Sequence, residues 1–397
     1  MFVPGITGSE LEDARKGRVM WGRGWQLIFP RDGGRALALP VAPGLESTLE
    51  GGDVLHTIEL LFVSRPIYGP LLEAMTAAGY VLGEPSLPAR EATLYPFGYD
   101  WRRDPMATAA ELDALLERIA AARGDREVDL VCQSNAARIC RWAVKYGGAP
   151  LEPGLDPRLR RERGYQVDRL VLIGASNGGA VRTLRELDRG RRYLPAGRRM
   201  TPETLASMPS LFGDLPNDAD GLFVDSTGAS VDVDLYDAVT WLVRRWSIFA
   251  GASQDRLDPP AHRRRFGSME DQLQALQDAL DRTRAANAAL AAEAVGFGST
   301  SIYQVLNLSR PTPSRIVIGR RGRLLFAGDE RVDRDRDLHA VVSEPGDGHA
   351  TASSQRALSA QERAALVETV EIPGSHFEVA LAPALHEAVL RFLDRSP

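Results

Sequence analysis

The sequence lacks an excess of positive charge and has no long hydrophobic run. Its 397 residues contain 48 Lys and Arg against 53 Asp and Glu, a formal net charge of −5. Nucleic-acid-binding domains carry a basic surface, so we exclude a nucleic-acid partner. No run approaches the roughly 18 apolar residues of a membrane-spanning helix. Residues 1–5, Met-Phe-Val-Pro-Gly, contain no basic region followed by an apolar core, so no secretory signal is visible.

Cysteine is almost absent from the chain. Cys132 and Cys140 are the only two, which is too few for the disulfide framework of a secreted fold, and they lack the spacing of a metal site. We therefore expect a cytoplasmic protein without a metal, unless an N-terminal leader has been lost. We also expect no cofactor, and the sequence leaves the oligomeric state open.

What the sequence does contain is an alternation of strand and helix patterns. Residues 128–131 and 167–173 are short apolar runs typical of buried strands, whereas residues 108–122 and 138–146 show apolar side chains at helical spacing. The strand pattern returns at 301–306, 314–319, 339–342 and 369–372. Strands that alternate with helices form a mostly parallel sheet flanked by crossover helices. The predicted fold class is therefore α/β.

The alternation is interrupted over residues 185–300. We interpret this stretch as a largely helical cap or lid, inserted into a core formed by residues 1–184 and 301–397. Within it, residues 235–249 form an amphipathic helical pattern rich in bulky apolar side chains. Trp246 of this helix is a candidate to cover an acyl chain in the substrate. Packing of the helix against the sheet is the alternative interpretation.

The rest of the chain is organised around residues 128–137, Val-Asp-Leu-Val-Cys-Gln-Ser-Asn-Ala-Ala, where an apolar strand turns directly into a helix. A serine at the apex of such a turn exposes its hydroxyl, and the free N–H groups of the following helix face a nearby oxyanion. Ser134 stands at this apex. The usual pattern is Gly-x-Ser-x-Gly, and here the small residues Cys132 and Ala136 replace the glycines.

Ser134, Asp347 and His376 each follow a predicted strand. Because the carboxyl ends of parallel strands lie on one edge of a sheet, we expect the three side chains to converge. An imidazole takes the serine proton near neutral pH, and a buried carboxylate fixes the tautomer of the imidazole. The order nucleophile, acid, base is that of the α/β-hydrolases. In that fold the N–H after the nucleophile, here Asn135, and an N–H of an early loop, here residues 4–7, hold the oxyanion.

Five segments carry a more specific pattern. They are Val-Pro-Gly-Ile-Thr-Gly-Ser-Glu-Leu at 3–11, Tyr-Gly-Pro-Leu-Leu at 68–72, Tyr-Asp-Trp-Arg at 99–102, residues 129–148, and Gly-Asp-Gly-His-Ala-Thr at 346–351. The strand-to-helix turn around Ser134, within 129–148, is called the elbow below. These segments resemble the lecithin:cholesterol acyltransferase family, which includes a lysosomal phospholipase and phospholipid:diacylglycerol acyltransferase. The resemblance extends over nearly the whole chain and is weakest in the insertion.

The resemblance implies an α/β-hydrolase core with a cap and lid, a serine-bound acyl-enzyme, and lipid-ester substrates. As partners we expect the lipid or ester substrate and a transient contact with a membrane surface. Residue by residue, it implies that Ser134 is the nucleophile, Asp347 the acid and His376 the base. It also implies that Ile6 and Asn135 donate the N–H groups of the oxyanion hole. Whether water or an alcohol accepts the acyl group stays open, because the shape of the cap decides it.

The chain departs from the family at the elbow. Cys132 and Ala136 replace glycines, Gln133 replaces the usual histidine before the serine, and nothing resembles the disulfide-closed lid of the secreted members. An elbow without glycines is also compatible with a pseudoenzyme, a binding protein that keeps the hydrolase fold. That alternative belongs to a different class of function, and reaction with a fluorophosphonate probe distinguishes the two.

Two rivals compete for the catalytic positions. Ser176 lies in Gly-Ala-Ser-Asn-Gly, which matches Gly-x-Ser-x-Gly literally, but the spacing of Ser134 from the Tyr-Asp-Trp-Arg segment is that of the family's nucleophile. Asp329 opens a run of charged residues typical of a solvated loop, so we favour Asp347 as the acid. His349, next to Asp347, is a candidate to line the site.

Overall fold

The computed structural model describes residues 1–23, 31–60, 63–152, 155–156, 162–193, 197–218, 220–257 and 259–394. The strands are β1 Phe2–Val3, β2 Ser9–Asp13, β3 Arg18–Trp21, β4 Leu49–Val54, β5 Thr57–Leu60, β6 Val63–Pro66, β7 Glu127–Gln133, β8 Gln166–Ile173, β9 Phe223–Val224, β10 Ser301–Leu306, β11 Arg310–Pro313, β12 Ile316–Ile318, β13 Leu324–Leu325, β14 Ser343–Gly346 and β15 Leu366–Glu371. The helices are α1 Gly69–Ala77, α2 Pro105–Arg123, α3 Ala136–Tyr146, α4 Val181–Arg189, α5 Pro202–Ala206, α6 Pro209–Phe212, α7 Ala238–Arg244, α8 Gly251–Leu257, α9 Pro260–Phe266, α10 Met269–Ala291, α11 Glu330–Asp333, α12 Arg336–Val342, α13 Ala352–Gln355, α14 Ala360–Ala364 and α15 Pro383–Leu393.

A five-stranded parallel sheet forms the core, with the strand order β1, β7, β8, β10, β15. In its register Phe2 pairs with Val131, Val131 with Val171, and Val171 with Tyr303. Parallel strands are covered by helices on both faces and therefore consist of continuous apolar runs. The apolar runs of β7 and β8 therefore indicate buried strands in the sequence. The predicted parallel α/β class is confirmed.

Helix α3 follows the elbow and has no solvent-exposed face, since all 11 of its residues are buried. Its three buried cations, Arg138, Arg141 and Lys145, are hydrogen-bonded to distant elements. Arg141 makes two hydrogen bonds of 2.7 Å to the carboxylate of Glu362. Lys145 donates to the carbonyl oxygens of Leu290 at 2.6 Å and Ala292 at 2.8 Å, at the C-terminal end of α10. Helix α3 thus joins the central sheet to the long helix of the insertion.

Residues 339–342, which the sequence analysis assigns to a strand, belong to α12 instead, so that prediction is wrong. The carboxylate of Asp335 caps this helix by accepting a hydrogen bond from the N–H of Leu338. Leu338 and Val342 are buried, and their spacing of four residues places them on one helix face. The strand that leads to Asp347 is β14, which pairs antiparallel with β11 outside the central sheet.

The helix expected at residues 235–249 is shorter than predicted. It ends with α7, because Arg245 adopts a left-handed conformation with φ of 57°, and a 3₁₀ turn follows at Ser247–Phe249. Helix α4 crosses the boundary proposed at residue 184, and β9 of the insertion pairs with β12 of the core. The division into core and cap stays a prediction.

Cys132 in β7 and Cys140 in α3 form a disulfide bond, with their Cα atoms 6.7 Å apart. The number and spacing of the two cysteines did not predict this pair. Because disulfides persist mainly in oxidising compartments, the expectation of a reducing cytoplasm loses its support from the cysteines, and the compartment stays a prediction. Within the described part of the chain, no helix is both long and apolar enough to cross a membrane.

Candidate active site

Ser134 lies at the apex between β7 and α3 in the left-handed region, with φ of 61°. This conformation is uncommon for a residue with a side chain and costs on the order of 1–3 kcal/mol, so the surrounding structure has to enforce it. The N–H of Ser134 donates to the carbonyl oxygen of Ile173, and its own carbonyl accepts from Ala137. Cys132 and Ala136 are fully buried, and their small side chains allow the close approach of strand and helix that glycines usually provide.

The structure brings together the three residues singled out as a triad. The Oγ atom of Ser134 lies 2.6 Å from Nε2 of His376. The Nδ1 atom of the same ring lies 2.7 Å from Oδ2 of Asp347. The N–H of His376 also donates to the carbonyl oxygen of Asp347 at 3.0 Å, which couples the two loops. This geometry allows a proton to pass from the serine hydroxyl to the imidazole.

Asp347 is fully buried but remains the charged partner in this arrangement. Its Oδ1 atom accepts hydrogen bonds from the N–H groups of His349 at 2.8 Å and Ala350 at 2.7 Å. Burial alone would raise the pKa of this carboxyl, but the charge and hydrogen bond of His376, together with His349, lower the pKa below its usual value. The carboxylate is therefore ionised at neutral pH and able to fix the orientation of the imidazole.

The early glycine-rich loop lies against the nucleophile. A Cβ atom on Gly5 would lie 2.8 Å from Oε1 of Gln133 and 2.9 Å from Cβ of Ser134, so only glycine fits there without displacement. Within the described residues, no backbone hydrogen bond uses the N–H of Ile6 or of Asn135. The assignment of Ile6 and Asn135 as the donors of an oxyanion hole stays a prediction.

Tyr68 and Gln133 connect the loops around the site, and the sequence analysis assigned neither a role. The Tyr68 hydroxyl accepts from the N–H of Gly5 at 3.2 Å and donates to Oε1 of Gln133 at 2.7 Å. The Gln133 amide donates in turn to the carbonyl oxygen of His376 at 3.2 Å. Burial raises the pKa of Tyr68 to about 12, so its hydroxyl stays protonated as a donor. The glutamine at the histidine position of the family thus has a structural role.

The two rival residues have other partners. The hydroxyl of Ser176 donates to the carboxylate of Asp214, as does that of Thr183 at 2.6 Å, and among the described residues no hydrogen bond joins Ser176 to the imidazole of His376. Asp329 makes a bidentate pair with Arg189, at 2.6 and 2.8 Å. Neither rival therefore has the partner that its catalytic role requires.

Trp246 contacts buried aromatic rings, and its assignment as a substrate-covering residue stays a prediction. Its side chain is buried, and its indole N–H donates to the carbonyl oxygen of Gly322 at 2.8 Å. Its ring stacks on Phe223 with centroids 5.6 Å apart and meets Trp241 edge to face at 6.0 Å. These contacts are those of core packing, the alternative interpretation of this helix.

The three residues Ser134, Asp347 and His376 are almost completely buried. Ser134 is 7% and His376 is 4% exposed, whereas the adjacent Phe377 is 54% exposed, with its ring 5.4 Å from that of His376. An exposed apolar ring therefore lies beside the base.

Within the ranges that the structure describes, no group of three or more His, Cys, Asp or Glu side chains is placed to hold a metal ion.

Comparison with solved structures supports the fold. The chain aligns with a chain in the crystal structure of the Tle4–Tli4 complex with a TM-score of 0.64 and 12% sequence identity, over 99% of this chain and 97% of that chain. No family model matches the sequence, and no curated protein matches it. Together with the parallel sheet, this likeness confirms the α/β-hydrolase fold that the sequence analysis predicts. Shared fold does not by itself define an activity.

Proposed function

We propose that the protein is a serine-dependent hydrolase or acyltransferase of carboxylic esters, acting through an acyl-enzyme on Ser134. The observation that carries this proposal is the chain of hydrogen bonds from Ser134 through His376 to Asp347. The contact between Ser134 and His376 is 2.6 Å and that between His376 and Asp347 is 2.7 Å, and Ser134 itself is in the left-handed conformation. Nucleophile, base and orienting acid in this geometry are the parts that acyl transfer requires.

In the proposed reaction, Nε2 of His376 takes the proton of Ser134 while Oγ attacks the ester carbonyl. The negative charge that develops on the carbonyl oxygen is held by the N–H groups of Ile6 and Asn135. The imidazolium, stabilised by Asp347, then gives the proton to the leaving alcohol, and the acyl-enzyme remains. Water or an alcohol then gives its proton to His376 and attacks the acyl carbon. The bond between the acyl carbon and Oγ breaks, and the imidazolium returns the proton to Oγ, which frees the product and restores Ser134.

We propose lipid esters as the substrate class. The resemblance of residues 3–11, 129–148 and 346–351 to the lecithin:cholesterol acyltransferase family supports this, as does the exposed ring of Phe377 beside the base. The choice between hydrolysis and acyl transfer depends on the acceptor that reaches the acyl-enzyme. Product analysis with and without an added long-chain alcohol determines whether free acid or a new ester is formed.

We predict that Ser134→Ala abolishes both ester hydrolysis and labelling by a fluorophosphonate probe, because it removes the attacking oxygen. Ser176→Ala is the matched control, since its hydroxyl binds Asp214, and it should keep both. The measurements are turnover of p-nitrophenyl esters of increasing chain length and identification of the labelled peptide. Labelling at Ser176, or no labelling of well-folded wild-type protein, would refute the proposal; the second result would support a pseudoenzyme.

A further inference from the structure

A second histidine–carboxylate pair lies beside the triad and takes no part in the proposed reaction. The ring centroid of His349 lies 4.6 Å from that of His376. Its Nε2 atom lies 2.8 Å from Oδ2 of Asp214. Asp214 is buried and also accepts hydrogen bonds from Ser176 and Thr183. Two imidazoles, each oriented by its own buried carboxylate, therefore lie side by side at the site.

The carboxylate of Asp214 fixes the orientation of the His349 ring. Burial alone would raise the pKa of Asp214, but the charge and hydrogen bond of His349, with those from Ser176 and Thr183, lower that pKa below its usual value. Since Nε2 is engaged by the carboxylate, Nδ1 is the nitrogen left for a ligand. In the described part of the chain, no hydrogen bond uses this Nδ1 atom. A protonated ring donates from Nδ1 to an oxyanion.

A guanidinium lies near the exposed ring of Phe377. The Cζ atom of Arg191 lies 5.7 Å from the ring centroid of Phe377 and 4.5 Å from that of Tyr193. Its Nη1 atom is 3.3 Å from Oε2 of Glu186. Among the described residues, no further hydrogen bond of this guanidinium is found. Arg191 is thus held in place by two rings and one carboxylate, while its planar fork keeps donors for a bidentate ligand.

One carboxylate, that of Glu186, does not occupy all the donors of the guanidinium groups around it. Glu186 is shared by two guanidinium groups, because Arg182 lies 3.2 Å from its Oε1 atom. Arg182 also donates to the carbonyl oxygen of Gly348 at 3.0 Å, next to the acid of the triad. Burial would raise the pKa of Glu186, but Arg191, Arg182 and His349 together lower it. Arg191 and Arg182 thus share the single carboxylate of Glu186, and each guanidinium keeps N–H groups that this carboxylate does not occupy.

We infer that His349 and Arg191 form a subsite for a phosphate or carboxylate group carried by the leaving alcohol of the ester, an inference that rests on the proposed function. His376 gives its proton to the leaving oxygen, so the leaving alcohol lies against this ring. His349 and Phe377 flank the same ring. An anionic group a few bonds from the leaving oxygen meets Nδ1 of His349 and the donors of Arg191.

The test compares two soluble esters with the same acyl chains, dihexanoylphosphatidylglycerol and uncharged dihexanoylglycerol. His349→Gln keeps an N–H for Asp214 but loses the second ring nitrogen, and Arg191→Gln removes the guanidinium. Each variant should lower kcat/KM for the phosphate-bearing ester by about tenfold or more, as expected for a lost charge-assisted hydrogen bond. For dihexanoylglycerol kcat/KM should change by less than about twofold. Exposed Arg192→Gln, with the same charge change, should alter neither.

Equal losses on both esters would overturn the inference, since they would indicate that the residues support the triad, and so would unchanged kinetics in both variants. Binding of the two lipids to the Ser134→Ala protein, measured by calorimetry, separates this outcome from failure of the proposed function. Preference for the phosphate-bearing lipid that disappears with His349→Gln or Arg191→Gln supports the subsite even if Ser134 is not labelled. Labelling of Ser134 without any such preference retains the proposed function and rejects the subsite.

Discussion

At the scale of single residues, the buried carboxylate of Asp347 fixes the tautomer of the His376 ring in the proposed triad. Asp347 has no exposed side-chain surface, and its pKa is lowered by His376 and His349. We predict that Asp347→Asn lowers kcat by about 10⁴, because an amide stabilises neither the reactive tautomer nor the imidazolium. Asp329→Asn, which removes the rival acid, should keep kcat near the wild-type value. The measurement is kcat on a p-nitrophenyl ester, with thermal melting as the folding control; the opposite ranking would move the acid to Asp329.

The contact between Gly5 and the elbow leads to a second prediction for a single residue. A Cβ atom at this position would lie 2.8 Å from Gln133 and 2.9 Å from Ser134, so Gly5→Ala displaces the loop that carries Ile6. Loss of one oxyanion donor costs about 10²–10³ in kcat. Gly251→Ala is the control, because a Cβ atom there meets nothing within 4 Å. Similar steady-state kcat values in the two variants would contradict the assignment of this loop to the oxyanion hole.

At the scale of elements, the buried ion pair beneath α3 leads to a prediction for acid stability. Burial would raise the pKa of Glu362, but Arg141 and Lys145 lower it from 4.5 to about 2. A lowered carboxyl pKa gives stability that is fully present above pH 4.5 and is lost as the pH falls to about 2. This contribution is about 3 kcal/mol.

We therefore predict that Glu362→Gln lowers the free energy of unfolding at pH 7 by about 3–5 kcal/mol, because two buried cations lose their partner. The variant should also lose the part of the acid dependence between pH 4.5 and 2 that Glu362 contributes. Urea denaturation across this pH range is the measurement. Glu371→Gln removes an exposed partner of Arg356 and should change stability by less than about 0.5 kcal/mol. Equal effects of the two substitutions on the free energy of unfolding would show that the buried interactions of Glu362 with Arg141 and Lys145 do not stabilise the protein.

The sequence predicted elements well where one local pattern decided the outcome. Strand β8 was found because its last four residues are apolar and buried on both sides of the sheet. Residues 339–342 were misassigned because a short apolar run fits a strand as well as one turn of a helix. The capping carboxylate of Asp335 and the burial of Leu338 and Val342 favour the helix. Such tertiary burial is not visible in so short a segment.

For the whole molecule, the disulfide between Cys132 and Cys140 leads to a prediction about the unfolded chain. A cross-link between residues separated by 8 positions stabilises the native state by about 2.5 kcal/mol in the chain-entropy model. We predict that reduction lowers the urea midpoint of the wild-type protein accordingly. The double variant Cys132→Ala, Cys140→Ala should not respond to reductant. Two free thiols in denatured, unreduced protein would contradict the presence of the bond.

The site was partly predictable for a topological reason. Ser134 and His376 follow β7 and β15, whose carboxyl ends lie on one edge of the sheet, so their proximity followed from the strand pattern. The pair between His349 and Asp214 did not follow, because Asp214 lies in the insertion and in none of the described strands or helices. Contacts between segments far apart in the chain need the folded structure.

The complete enclosure of α3 has a consequence for efforts to redesign the protein. Each of its side chains is buried, so a library that randomises this helix will consist mainly of misfolded members, whatever substrate is selected. Phe377 lies beside His376 and contacts Arg191, and its exposed ring has room to vary. Selection for new ester preferences will therefore find its active variants at Arg191 and Phe377, where substitutions can change the ester preference without unfolding the protein.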